Sequence, residues 1–281
     1  MTHVLAQTAA WLSAAANALG RFVLAPVGSV PGWLSATVVA AATGVLLLAV
    51  FKYTSAQGAI QRVRNDINAN LLALKLFKDS TSVSLRAQGR ILRGAFKLFA
   101  LALVPMLIMA LPVTLLLGQL ALWYQARPLL VGEESVITLK LNGDAGSNWP
   151  AVSLKPTDAV EVTVGPVRVQ SKREVCWNVK ARERGRHKLE FQVDDRIGAK
   201  DLAIGDGLMR VSTQRPGWDW SAILLNPWEE PFRPDDPVRS IEMVYPERSS
   251  WTSGTDTWVI YWFVISMVAA LCFRRAMNVA V

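Results

Sequence analysis

Residues 98–124 read LFALALVPMLIMALPVTLLLGQLALWY, an apolar stretch without a charged side chain. A helix of this length, at about 1.5 Å per residue, can cross the hydrocarbon core of a bilayer with some tilt. The stretch directly follows a basic, helix-periodic segment at residues 55–96. The sequence therefore predicts a charged helical segment that continues into a membrane-spanning helix.

Two further apolar stretches complete a predicted set of three membrane-spanning helices. They are residues 33–53, which begin WLSATVVAAATGVLLLAVF, and residues 257–273, TWVIYWFVISMVAALCF. Aromatic residues lie near the ends of all three stretches, as in the aromatic belts of membrane proteins. The chain is 52% hydrophobic, and its apolar residues occur in blocks, which favours an integral membrane protein over a soluble one.

The net charge of +8 is concentrated in two short segments. Residues 52–97 carry a net charge of +7 and the tail after residue 273 carries +2, whereas residues 124–250 are nearly neutral. Because cytoplasmic loops are enriched in Lys and Arg, both basic segments are predicted to be cytoplasmic, with the N-terminus outside. Topology thus accounts for the charge without DNA as a partner, and the predicted location is a bacterial inner membrane.

Residues 125–250 show alternating apolar and polar runs that predict short strands. The predicted strands are residues 135–142, 160–169, 175–181, 188–193, 208–213 and, as a further candidate, 238–245. This pattern predicts an antiparallel sandwich of about seven strands, resembling an immunoglobulin domain. The Trp- and Pro-rich residues 216–237 are predicted to form a loop that lies near the membrane or packs on the sandwich. Its tryptophans are expected to serve core and interface packing, with sugar or lipid binding as the alternative.

The predicted fold class is an integral membrane α-helical protein with an extracytoplasmic all-β, Ig-like sandwich domain. The predicted segments are an extracytoplasmic N-terminal segment (1–32) with an interfacial helix or a loosely packed tail, transmembrane helices at 33–53, 98–124 and 257–273, a cytoplasmic helical hairpin (54–97), the β-sandwich (125–250) and a cytoplasmic tail (274–281).

Apolar residues at 3–4 spacing on both sides of a polar turn predict that residues 54–97 form two antiparallel helices, a short coiled-coil hairpin. Its predicted basic contact face comprises Arg62, Arg64, Lys75, Lys78, Arg86, Arg90 and Arg93. These residues either serve only to fix the topology or also contact acidic headgroups and partners.

The spans contain few polar groups, and these are candidates for lining a groove. Pro105 and Pro112 lie along one face of the second span and are expected to kink it. The complete candidate set is Thr37, Thr43, Pro105, Met106, Met109, Pro112, Thr114, Gln119 and Ser266. The small residues Thr37, Ala41 and Gly44 share one face of the first span, where close helix packing is the alternative to a groove.

The layout of the chain resembles the YidC/Oxa superfamily of membrane-protein insertases, in particular its small three-span members related to the insertase subunit of the endoplasmic-reticulum membrane protein complex. The resemblance is carried by the topology, by the hairpin sequence RVRNDINANLLALKLFKDSTSVSLRAQGRILRGAF at residues 62–96 and by VPMLIMALP at residues 104–112. The added β-domain and the absence of a charged residue from residues 33–51, 98–124 and 257–273 depart from the family pattern.

The resemblance implies a cofactor-free insertase or chaperone with a cytoplasm-facing groove. Its partners would be the lipid bilayer and nascent or newly made membrane proteins, with a ribosome or targeting factor at the hairpin as a further expectation. The alternative is a membrane-anchored scaffold whose β-domain binds an envelope protein. Enzyme activity is not expected, because the sequence has no nucleophile elbow, phosphate loop or metal-ligand spacing, and His3 and His187 are its only histidines.

Overall fold

The structure, a computed structural model, describes residues 2–76, 81–143, 148–254, 257–277 and 279. Its α-helices are α1 (Thr2–Val23), α2 (Gly32–Thr54), α3 (Gln57–Leu76), α4 (Thr81–Tyr124), α5 (Trp220–Leu225) and α6 (Thr257–Phe273). Its strands are β1 (Glu134–Leu141), β2 (Val152–Leu154), β3 (Val160–Val169), β4 (Glu174–Ala181), β5 (Gly185–Val193), β6 (Arg196–Ile204), β7 (Gln214–Arg215) and β8 (Val238–Met243).

The chain divides into two compact units. The first, called the β-unit, comprises Met1–Ala36 and Thr114–Tyr261. The second, called the helical unit, comprises Thr37–Val113 and Trp262–Val281.

Two antiparallel sheets form the centre of the β-unit. The strand order is β3-β4-β1-β8-β7 in one sheet and β2-β5-β6 in the other. Trp177 of β4 and Phe191 of β5 are both buried, and their ring centroids lie 5.5 Å apart. Because these two strands belong to different sheets, the sheets share one hydrophobic core. The prediction that this region is an antiparallel β structure is therefore confirmed.

The strand predicted at residues 208–213 is wrong. Val211 lies in this segment, but its backbone N–H donates to the carbonyl oxygen of Leu122, 2.8 Å away, at the end of α4. The helix end therefore satisfies a donor that a sheet would otherwise use. The sequence prediction also missed β6, which pairs with β5 along its whole length.

β3 is an edge strand with an irregular backbone. Its pairing with β4 shifts register twice, between Val162 and Val164 and again between Val164 and Val167. Pro166 lies within the second irregularity and has no backbone N–H to offer a further strand.

Helix α1 packs on α5 through its small residues. Ala6 and Ala9 are buried against Ile223 and Leu224, and the hydroxyl of Ser13 donates to the carbonyl oxygen of Ile223 at 3.2 Å. The leucines at 3–4 spacing along this helix, Leu5, Leu12 and Leu19, are exposed.

The segment predicted to be a Trp- and Pro-rich loop contains the short helix α5. Asp219 caps its first turn, because Oδ1 accepts from the backbone N–H groups of Ser221 and Ala222 at 3.1 and 2.9 Å.

Within the part of the chain that the structure describes, two helices, Gly32–Thr54 and Ser84–Tyr124, are long and apolar enough to cross a membrane. Helix α6 is also apolar but has only 17 residues. Helix α4 runs without interruption through the predicted boundary between hairpin and span and contains Pro105 and Pro112.

Helices α3 and α4 pack closely within the helical unit. A Cβ atom on Gly94 would lie only 2.6 Å from Cγ1 of Ile67. Ile60, Val63 and Ala87 are buried. The glycine therefore allows the two helices to approach along the apolar stripes that the sequence predicts.

Candidate functional site

The predicted groove residues are divided between the two compact units. Thr114 and Gln119 belong to the β-unit. The remaining seven belong to the helical unit: Thr37, Thr43, Pro105, Met106, Met109, Pro112 and Ser266.

The polar groups of α2 and α6 are used in helix packing. Thr43 Oγ1 accepts a hydrogen bond from Trp262 Nε1 and donates to the carbonyl oxygen of Ala40, both at 2.9 Å. Ser266 is buried, and a Cβ atom on Gly44 would lie 2.2 Å from its carbonyl oxygen. These contacts match the packing alternative, in which small residues allow close helix approach. Thr37 is half-buried.

The predicted groove residues of the second span, which lie on α4, differ in their exposure. Pro105 is buried and Met109 is half-buried, whereas Pro112 and Met106 are exposed, Met106 with 69% of its surface.

A cleft of about 420 Å³ in the helical unit is lined by apolar side chains of α2 and α6 and by Val113. Among the predicted groove residues only Ser266 lines it, and Arg274 contributes its one charged group. The described lining of this cleft is therefore mostly apolar.

Gln119 lies at a contact with α1. It is buried, and its Nε2 donates to Oδ1 of Asn17 at 2.7 Å. Asn17 in turn donates to the carbonyl oxygen of Pro227. The amide therefore helps to hold α1 on the Trp- and Pro-rich segment. Thr114 is half-buried.

The predicted basic face of the hairpin is largely exposed. Arg62, Lys75, Arg86, Arg90 and Arg93 are exposed, Arg64 is half-buried, and Lys78 lies outside the described residues. A row of exposed apolar side chains runs beside the arginines of α4, and it comprises Leu85, Leu92, Phe96 and Phe99.

A second cluster of cationic residues, which the sequence prediction missed, lies in the β-unit. Three guanidinium groups contact the indole ring of Trp228: those of Arg21, Arg186 and Arg210, at 5.1, 5.5 and 5.3 Å from its centroid. Arg210 also lies 5.0 Å from the centroid of Trp123. These five residues, with Ala25, line a cavity of about 480 Å³. We call it the Arg–Trp pocket.

Three segments of the chain hold the pocket together. An Nη atom of Arg210 donates to the carbonyl oxygen of Gly20, 2.6 Å away at the end of α1. Trp228 is oriented by its indole N–H, which donates to Oδ2 of Asp201 at 2.7 Å. The hydrogen bond from Val211 to Leu122 fixes the backbone next to Arg210.

The arginines of the pocket are not paired with carboxylates. Within the described ranges, none of Arg21, Arg186 and Arg210 forms an ion pair with a carboxylate. Burial, together with repulsion from the two other arginines, lowers the pKa of Arg210 to about 10. The guanidinium still carries its charge at neutral pH, so the pocket is an electropositive site with aromatic walls.

Two signals in the sequence point toward this pocket. Arg21 is the only Lys or Arg before Lys52, although the predicted topology places it outside, where basic residues are not needed for orientation. Trp228 belongs to the Trp- and Pro-rich segment. Neither signal identifies Arg186 or Arg210, because nothing local in the sequence joins them to Arg21.

No protein-family model, curated protein or solved structure matches the chain. Its function must therefore be inferred from the geometry of its own residues.

Proposed function

We propose that this chain is a membrane-anchored envelope protein whose extracytoplasmic β-unit binds an anionic ligand in the Arg–Trp pocket. In this proposal α2, α4 and α6 cross a bacterial inner membrane, the basic hairpin is cytoplasmic and the two sheets form an Ig-like sandwich. The observation that carries it is the convergence of Arg21, Arg186 and Arg210 on Trp228 without a carboxylate partner.

The composition of the pocket favours binding over catalysis. Its described lining consists of three arginines, two tryptophans and Ala25. Arginine forms strong charge-assisted hydrogen bonds with anions and is a poor general base because it stays protonated. Tryptophan supplies apolar surface beside the charge. The ligand is therefore expected to combine a negative charge with a less polar part.

The test is anion binding by the full-length protein in a nonionic detergent, measured by calorimetry with inorganic phosphate, sulfate and citrate. We expect at least one anion to bind and an Arg21→Gln/Arg186→Gln double variant to weaken that binding at least tenfold. Arg184→Gln is the matched control, because Arg184 is exposed and pairs with Asp206 at 2.9 Å. If no anion binds, or if the control loses as much affinity, the proposal is wrong.

A second candidate function is the membrane-protein insertase expected from the YidC/Oxa resemblance. It is favoured by one specific observation, the exposed apolar row on α4 beside Arg86, Arg90 and Arg93. Such a surface can receive an apolar substrate segment while the cations contact its polar flank or a lipid headgroup. The function would be to lower the cost, several kcal/mol, of moving polar groups into the bilayer.

Photocrosslinking tests this candidate. A crosslinker at Met106, which is exposed, should capture newly made membrane proteins, whereas one at Thr43, which is buried against Trp262, should not. Capture of lipid alone at Met106 would contradict an insertase.

A further inference from the structure

We infer that the Arg–Trp pocket recognises the phosphate group of a phosphorylated ligand. The inference rests on the proposed function, since it identifies the chemistry of the anion that the pocket binds. Two sources can present this group to an extracytoplasmic site: an anionic phospholipid headgroup and a soluble phosphate ester.

The number and arrangement of the arginines favour a phosphate over a carboxylate. Three guanidinium groups share one aromatic ring, at 5.1–5.5 Å from its centroid. A guanidinium packed on an indole keeps its N–H donors directed outward from its own edge, where they can bind an oxyanion. A carboxylate presents its two oxygens in one plane, whereas a phosphate presents its oxygens tetrahedrally, with three unesterified oxygens in a monoester and two in a phospholipid diester, so that separate arginines can bind it together.

Two acidic groups lie next to the pocket, but neither forms an ion pair with its arginines. Asp201 accepts from the indole N–H of Trp228. Glu229, the next residue after Trp228, accepts from the buried ammonium of Lys200. Against three arginines, the Asp201 carboxylate leaves a net positive charge, which a singly or doubly charged phosphate ester would balance.

Two residues of the pocket lie at helix ends, where a lipid headgroup would be expected. Trp123 is the penultimate residue of α4, one of the two helices long enough to cross a membrane. Arg21 is in the last turn of α1, whose outer face exposes Trp11 and Phe22 with 72% and 85% of their surfaces. Trp and Arg at helix ends with an exposed apolar face are typical of the headgroup region. A phospholipid is therefore the expected source.

Native mass spectrometry of the full-length protein in nonionic detergent tests the inference with three probes. These are phosphatidylglycerol, soluble sn-glycerol 3-phosphate and oleate, an apolar carboxylate that lacks phosphorus. We expect phosphatidylglycerol to bind at least tenfold more tightly than oleate, with Arg21→Gln and Arg186→Gln each weakening it about tenfold and Arg184→Gln leaving it unchanged. Circular dichroism checks that the variants fold.

The outcomes distinguish a phospholipid from a soluble phosphate ester, and they distinguish failure of the phosphate inference from failure of the proposed anion site. If glycerol 3-phosphate binds as tightly as the lipid, the phosphate chemistry is supported and the source is soluble. If oleate binds as tightly as either phosphate ester through the same arginines, the phosphate inference is overturned and the proposed anion site remains. If none of the three probes binds and the inorganic anions also fail, both are overturned.

Discussion

Lys200 and Glu229 form a buried ion pair in the β-unit, and its removal should strongly destabilise the protein. The side chain of Lys200 has 0% exposure and that of Glu229 has 8%. Burial lowers the pKa of Lys200, while the Glu229 carboxylate acts in the opposite direction. The carboxylate also accepts from Ser212 Oγ at 2.6 Å and from the backbone N–H of Asp201 at 2.9 Å.

The Lys200→Met substitution would leave the Glu229 carboxylate buried with only these two donors. Removing one partner of a buried pair typically costs about 3–5 kcal/mol, because the remaining charge is uncompensated. The Lys200→Met/Glu229→Gln double variant should recover at least half of this loss, because a neutral amide is cheaper to bury than a carboxylate.

The assay is equilibrium urea unfolding of the full-length protein in detergent, followed by tryptophan fluorescence. Lys155→Met is the control: Lys155 pairs with Glu190 at 2.9 Å, but the two side chains are 37% and 50% exposed, so the loss should be about 1 kcal/mol or less. A Lys200→Met loss no larger than that of the control, or a double variant no more stable than the single one, would refute the reasoning.

Two further predictions concern helix packing. Gly94→Leu should destabilise the hairpin and increase its protease cleavage, because any Cβ at residue 94 meets Ile67. The control is Gly89→Leu, which should have little effect because nothing lies within 4 Å of a Cβ at residue 89. Equal cleavage of the two variants would contradict the packing. Asn17→Ala should release α1 from the β-unit, seen as faster amide hydrogen exchange in α1, because it removes the hydrogen bonds to Pro227 and Gln119. The exposed Gln7 provides the control, Gln7→Ala, and unchanged exchange in Asn17→Ala would rule out this anchoring role.

Regular alternation made several strands predictable from the sequence. The predicted strand at residues 160–169 coincides with β3, and those at 135–142 and 175–181 agree with β1 and β4 to within a residue at each end. β6 escaped prediction because it contains the buried Lys200, whose charge is neutralised by a residue 29 positions later. Local patterns cannot reveal a partner at that distance.

The candidate site was not predictable for a similar reason. Arg210 and Gly20 are in contact although they are 190 positions apart in the chain. The pocket exists only after α1 and the segment that contains Trp228 have folded against each other, so its residues carry no common spacing. The hairpin stripes, by contrast, follow from the helical period alone.

The irregular edge of the five-stranded sheet has a consequence for the membrane-anchored arrangement proposed above. Confinement to a surface raises the rate at which neighbouring copies meet, and an open, regular edge would invite them to join strand to strand. The two register shifts in β3 and the missing donor at Pro166 interrupt any such ladder. Crowded copies are thus expected to collide at this edge and separate again, rather than polymerise.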